Sequence, residues 1–185
     1  MRAAHFIAAG VAVGIAAALY KAQDIRAALA TVGPEYSNLH PEVQTRAAQV
    51  LAAADAEFSG EGVKVGIYEG WRDPSTQAKR IEAGASGVAT PLESYHPWGL
   101  AVDFVFIDRL GRWTWLPDPK NPNNKAYVDP KWNRLGALIE SAGFEWGGRW
   151  RNFDGPHAQF PVVRTAQLRA SFTDPIDYVR TFANV

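Results

Sequence analysis

The sequence predicts an α+β fold: a small, mainly antiparallel sheet with flanking helices in a single domain. Three observations lead there. The segments 41–58 and 131–142 repeat apolar residues at helical spacing. The segments 63–68 and 100–107 read as strands, the first by alternation and the second by a near-continuous apolar run. Helices and strands follow one another in runs, without the regular βαβ alternation that marks a parallel sheet.

Each element has a local cause. Residues 21–38 read as a connector with some helical character, ending in the turn-prone Gly33-Pro34-Glu35-Tyr36-Ser37-Asn38. Pro41 suits the first position of a helix, because its missing N–H would have no partner there. Val43, Ala47, Val50, Leu51, Ala54 and Phe58 then form one apolar face, and Gly60 and Gly62 end the helix. Val63, Val65 and Ile67 alternate with Lys64, Gly66 and Tyr68 as a strand, broken by Gly70-Trp71-Arg72-Asp73-Pro74. Asp73 or Ser75 can cap a short helix through Gln77 to Ala83. Gly84 to Pro91 is a loop, and Leu100 to Ile107 a strand with one charge, Asp103. Asp108 to Pro130 is a long turn-rich excursion. Lys131 to Ala142 sets Trp132, Leu135, Leu138 and Ile139 on one side, with Gly143 as the stop. Phe144–Trp146 and His157–Phe160 are short strands separated by a polar loop. Asp174-Pro175 can open a short helix through Phe182.

The N-terminal stretch from Ala3 to Tyr20 has no Asp, Glu, Lys or Arg. As a helix it is about 27 Å long, just short of a hydrocarbon core of about 30 Å. It reads as a secretory signal, with Ala16 and Ala18 at a cleavage site, as an uncleaved anchor with Gly10 and Gly14 on one face, or as a buried helix. Residues 1–20 are therefore expected to export the chain or tether it to a membrane.

Composition excludes several classes of function. With a formal net charge of +0, the chain lacks the basic excess of a general nucleic-acid binder. With no cysteine, it can hold neither a disulfide, nor a catalytic thiolate, nor a thiolate-ligated metal. Any metal must sit on His, Asp or Glu. Tryptophan is abundant, at 7 copies, suited either to a core or to contacts with sugars and peptides.

Two segments carry the chemistry. The first is Ser94-Tyr95-His96-Pro97-Trp98-Gly99-Leu100-Ala101-Val102-Asp103. An acid inside an apolar strand is costly unless paired or bound to a cation. On one straight strand His96 and Asp103 would stand about 23 Å apart, but Pro97 and Gly99 allow a sharp turn. The alternative is a buried Asp on backbone amides with an unrelated surface His. The second segment, Gly147-Gly148-Arg149-Trp150-Arg151-Asn152-Phe153-Asp154-Gly155-Pro156-His157, adds a second His and another acid. Two His and one carboxylate make a tripod for Zn²⁺ with a fourth position for water. The remaining acid, Asp154, can then serve as general base. His5 and His40 have no such company, and His40, before Pro41, fits a capping or surface role.

The pattern Ser-x-His-x-x-Gly-x-Ala-x-Asp, followed far downstream by Asp-x-x-His, resembles the LAS group of lysostaphin-type, D-Ala-D-Ala and sonic-hedgehog-related zinc proteins. Within it the chain is most similar to the L-alanoyl-D-glutamate endopeptidase branch, found in phage endolysins and bacterial wall-remodelling enzymes. The resemblance runs from Leu39 to Phe160 and takes in Leu39-His40-Pro41, the Arg72 and Gln77 segment and Trp146-Gly147-Gly148. It implies His96, Asp103 and His157 as zinc ligands and Asp154 as catalytic base, where many relatives carry Glu. It implies that Arg72 stabilises an oxyanion or holds substrate, with an ion pair to Asp73 or Glu69 as the alternative. Ser94, Gln77 and Trp150 are the implied substrate-binding residues, though Ser94 also suits a turn and Trp150 a core.

The expectation is a zinc-dependent hydrolase of a peptide-stem amide in bacterial peptidoglycan, cutting between L-Ala and a D-Glu-type residue. The rivals are a D,D-carboxypeptidase or dipeptidase on the same scaffold and a non-catalytic zinc module that binds wall. The layout expected is a signal or anchor at 1–20, a connector at 21–38, a zinc peptidase domain at 39–161 and a C-terminal extension at 162–185. The chain is expected to act as an exported or envelope-associated monomer, with peptide stems as its partner, no nucleic acid, and membrane contact through residues 3–20.

Overall fold

The computed structural model of the protein describes residues 21, 23–26, 34–84, 89–90, 92–114, 130–161 and 163–183. The apolar segment 3–20 and the greater part of the excursion between Asp108 and Pro130 lie outside the described residues. No helix among the described residues is long and apolar enough to cross a membrane.

The chain runs α1 (Pro34–Ser37), α2 (Pro41–Glu57), β1 (Lys64–Glu69), α3 (Pro74–Glu82), β2 (Ala101–Ile107), β3 (Trp113–Thr114), α4 (Pro130–Ser141), β4 (Glu145–Trp146), β5 (His157–Gln159), α5 (Thr165–Ser171) and α6 (Pro175–Val179). The caps are those the residues dictate: His40 Nδ1 accepts the Glu42 amide at 3.2 Å ahead of α2, and Asp73 accepts the Ser75 amide at 2.8 Å ahead of α3.

The strands order as β1-β2-β5-β4, all antiparallel, and β3 pairs with the far end of β2. The predicted α+β architecture is the one found. The alternation along β2 sets its two faces. Val102, Phe104 and Phe106 join Val43, Val50, Phe58, Trp132, Leu135 and Ile139 in one buried core under α2 and α4. Phe106 meets Phe58 and Trp132 edge-on, with ring centroids 5.4 and 4.9 Å away. Burying each such large side chain contributes about 1.5–3 kcal/mol, so the sheet is pinned by this face, while the other face of β2 carries Asp103 between the buried Ala101 and Val105.

Packing extends beyond 39–161. Tyr36 is 2% exposed in the same core, and Ile25 lies against Ala48 and Ala52 of α2. After Phe160, Leu168 and Val179 are buried, Tyr178 rests on Trp98 at 6.0 Å and Phe182 on His40 at 4.9 Å. The C-terminal helices thus clamp the turn that carries His96.

Two elements depart from the sequence pattern. The segment 33–38, read as a turn, holds a four-residue helix whose Glu35 carbonyl accepts the Trp71 amide at 2.6 Å. The first strand runs through Glu69, with a bulge between Ile67 and Glu69. Ile67 pairs with Phe104 on the core side, yet Glu69 pairs with Asp103 on the opposite face. Strict alternation would have pointed Glu69 into the core with Ile67. The extra residue, Tyr68, reverses the parity.

Candidate metal centre

Register assembles the site. Asp103 of β2 is paired with His157 of β5 and with Glu69 of β1, and directly opposed residues project from the same face. Glu69, Asp103 and His157 therefore form one row across the sheet, on the face away from Phe104. The next row is Ala101, Gln159 and Glu145.

His96 reaches this row through a tight turn. The His96 carbonyl accepts the Gly99 amide at 3.0 Å, and Tyr95 accepts from Leu100 at 3.1 Å. Gly99 has φ +68, and a Cβ there would fall 2.5 Å from the Asn38 carbonyl oxygen, so the reversal needs glycine. Asp154 is placed in the same manner. Its amide donates to the Gly147 carbonyl at 3.0 Å, and a Cβ on Gly147 would lie 2.7 Å from the Asp154 carbonyl oxygen. Trp146 Nε1 holds the same loop by donating to Gly155 at 2.8 Å.

The donors converge. His96 Nε2 lies 3.3 Å and His157 Nδ1 3.1 Å from Asp103 Oδ1, and one ligand atom from each residue falls within 4.8 Å of the others. Tetrahedral coordination at a bond length of about 2.1 Å puts neighbouring ligand atoms about 3.4 Å apart. The nitrogen of each ring that faces away has its own acceptor or partner: His96 Nδ1 meets the Gly70 carbonyl at 2.7 Å, and His157 Nε2 meets Gln159 Oε1 at 3.3 Å. Each ring could then keep its proton outside and offer its inner nitrogen's lone pair to a cation, in place of the hydrogen bond that this nitrogen donates to Asp103. The residues present fit a divalent cation.

The electrostatics agree. Burial pushes the Asp103 carboxyl up, but the charge of His96 and hydrogen bonds from His157 and His96 outweigh it and hold it well below the usual range. Burial pulls His157 down, and the hydrogen bond and charge of Asp103, with Asp154 adding to them, carry it above its ordinary value. The site is thus an anionic pocket that favours positive charge.

The other expected site residues fall around it. Asp154 stands close enough for its charge to act on His157, and its carbonyl accepts the His157 amide at 3.2 Å. Ser94 Oγ accepts the His96 amide at 3.4 Å, a turn contact beside the ligand. Trp150 packs its ring 5.2 Å from that of His157, outside the core cluster, and donates Nε1–H to Glu145 Oε1 at 2.8 Å. Arg72 is 8% exposed and grips Glu69 with Nε, at 2.7 Å, and Nη2, so the ion pair weighed as its alternative is present. Its Nη1 bonds Gln77 Oε1. Gln77 is 1% exposed, with its Nε2 on the Ala89 carbonyl at 2.6 Å, so it supports Arg72 from within the fold.

Sequence reasoning missed Glu145 and Gln159, and met Glu69 only as one candidate ion-pair partner of Arg72. For Gln159 a signal exists, since it stands two residues after His157 on the same short strand and so shares its face; for Glu145, on another strand, local pattern gives none. The placement of Glu69 beside Asp103 had no signal, since the bulge is set by pairing.

Comparisons with known proteins point to a family of peptidases. The profile of the D-alanyl-D-alanine carboxypeptidase family matches residues 88–160. The chain is 33% identical over 134 residues to the peptidoglycan L-alanyl-D-glutamate endopeptidase CwlK of Bacillus subtilis, covering 68% of this chain and 75% of that protein. It is 38% identical over 100 residues to the L-alanyl-D-glutamate peptidase of Listeria phage A118, covering 54% of this chain and 31% of that protein. The crystal structure of the Serratia marcescens L-Ala D-Glu endopeptidase ChiX aligns over 68% of this chain and 83% of its own, with TM-score 0.49 and 24% identity.

Proposed function

This chain belongs to the D-alanyl-D-alanine carboxypeptidase family of peptidases, and from that premise we propose that it is a zinc-dependent endopeptidase of bacterial peptidoglycan, cutting the peptide stem between L-Ala and a D-Glu-type residue. The observation that carries the reading is the convergence of His96, Asp103 and His157 on one point, with a further carboxylate, Asp154, at its edge. The named activity of the relative that this chain covers for 75% of its length supports the choice of bond.

His96 Nε2, Asp103 Oδ1 and His157 Nδ1 would hold the metal, and an N, O, N set in a cysteine-free chain suits zinc. When bound, zinc supplies Lewis-acid polarisation of the scissile carbonyl and lowers the pKa of water at the site. Asp154 takes the proton of the attacking water on its carboxylate and returns it to the leaving amine, a role that typically contributes about 10²–10⁴-fold in rate. Arg72 uses three of its N–H donors on Glu69 and Gln77, so of the five a guanidinium carries it has at most two for an oxyanion or a substrate carboxylate. Gln77 positions Arg72. Ser94 steadies the His96 turn and lies where a substrate amide can reach it. Trp150 walls the site beside His157. Residues 3–20 are the segment we assign to carrying the chain to the wall.

The test is digestion of purified peptidoglycan by the zinc-loaded protein, with the new termini identified by mass spectrometry. New amino termini on D-Glu-type residues support the reading. Release of free D-Ala would make the chain a D,D-carboxypeptidase, the activity its family profile names. Intact wall after treatment with zinc-loaded protein would leave a binding module.

A further inference from the structure

Both metal-facing imidazoles need their outer nitrogen protonated, but the two are held by different means. His96 Nδ1 has a backbone carbonyl, Gly70, as its partner, and a carbonyl can only accept. His157 Nε2 has a side-chain amide, Gln159, whose two ends are a donor and an acceptor of nearly equal shape. If that amide turned over, its NH₂ would face Nε2, draw the lone pair to that side and leave the proton on Nδ1, where the metal must bind. Something has to fix which way Gln159 points.

The next link does so. Gln159 Nε2 donates to Glu145 Oε2 at 3.1 Å. An ionised carboxylate accepts only, so the NH₂ end must face Glu145 and the carbonyl end must face His157. Glu145 is itself held by Trp150, whose indole Nε1–H can only donate, on its other oxygen at 2.8 Å. Gln159 is 9% exposed, and it shares one sheet row with Glu145 and follows His157 on the same face of β5, so the register that builds the metal row also builds this chain.

We propose that Glu145 and Gln159 are positioning residues of the metal centre: Glu145, braced by Trp150, polarises Gln159 so that its carbonyl holds the Nε2 proton of His157 and leaves Nδ1 free for the cation. The inference rests on the His96–Asp103–His157 site taking a metal, and not on which bond is cut.

The test measures zinc affinity by competition with a chromophoric chelator, in the full chain. Gln159→Leu removes the acceptor, and loss of such an outer partner typically weakens metal binding about 10–100-fold. Glu145→Gln keeps the shape but not the polarity, since Gln159 can then turn over; affinity falls toward the same range. The decisive variant combines Glu145→Gln with Gln159→Glu. The carboxylate now accepts from His157 and from the new amide, whose carbonyl accepts from Trp150, so every donor again meets an acceptor. Affinity should return to the wild-type value or exceed it, which a variant damaged only in folding would not do. Wild-type affinity in Glu145→Gln, or no recovery in the combined variant, overturns the proposal. A wild-type chain that bound no zinc would overturn the metal site and the proposed function with it, whereas zinc binding without wall cleavage would overturn only the proposed function.

Discussion

Glu69 is the residue on which the buried charge of this site balances, and Glu69→Ala is expected to destabilise the fold severely. Its carboxylate receives Arg72 Nε at 2.7 Å and Arg72 Nη2, and Arg80 Nη1 and Nη2 at 3.1 and 2.9 Å. The two arginines differ in depth. The Arg72 side chain is 8% exposed and that of Glu69 14%, so removing the carboxylate strands a guanidinium out of water. Breaking a buried pair from one side costs about 3–5 kcal/mol, and the residual exposure of Glu69 puts the expectation near the lower end. Arg80 is 42% exposed, so its half of the cluster is worth about 0–1 kcal/mol. A typical domain has about 5–15 kcal/mol in all, so the first change removes a large part of it and the second little.

Urea unfolding with linear extrapolation measures both, in the presence of chelator so that metal binding does not contribute. For a chain of this size about 3 kcal/mol corresponds to a fall in Tm of roughly 6–12 °C. Glu69→Leu combined with Arg72→Met replaces both charges by apolar side chains and should recover most of the loss, because the penalty comes from the unpaired charge. If Glu69→Ala proves as mild as Arg80→Ala, or if the combined variant is no better than Glu69→Ala, the argument from buried charge is wrong.

Three further changes test the site and the core. Asp154→Asn keeps the shape but cannot take a proton, so activity should fall by about 10²–10⁴-fold with zinc still bound, while Asp103→Asn should weaken zinc binding itself; the opposite pattern in metal content would reverse the two carboxylates. Gly136→Ala, an exchange that favours a helix in isolation, should here destabilise by about 1–3 kcal/mol, since the added Cβ would lie 2.3 Å from Trp146 Cε3 and that ring is fully buried; a gain in Tm would show that the α4–β4 contact can yield.

The sequence by itself determined the elements and the kinds of chemistry available. The spacing of Val43, Ala47, Val50 and Ala54 gives α2, the apolar run around Asp103 gives β2, and an acid in such a strand signals pairing or a cation. Absence of cysteine left only His and carboxylate donors. Gly99 marked the turn where His96 could double back. What local pattern could not determine was which rows of side chains share a face. That depends on strand register, and a slip of one residue reverses every side chain. The pairing of Asp103 with His157 is a contact between residues 54 apart in sequence, and no local spacing encodes it. The bulge at Tyr68 takes Glu69 off the core face and sets it beside Asp103, against the alternation of its own strand. Gln159 and Glu145 read as ordinary polar positions until β4 and β5 are laid side by side; only then does the order of donors and acceptors from Trp150 to His157 exist. Local residues decide what each strand can offer, and the long-range pairing decides what each offer meets.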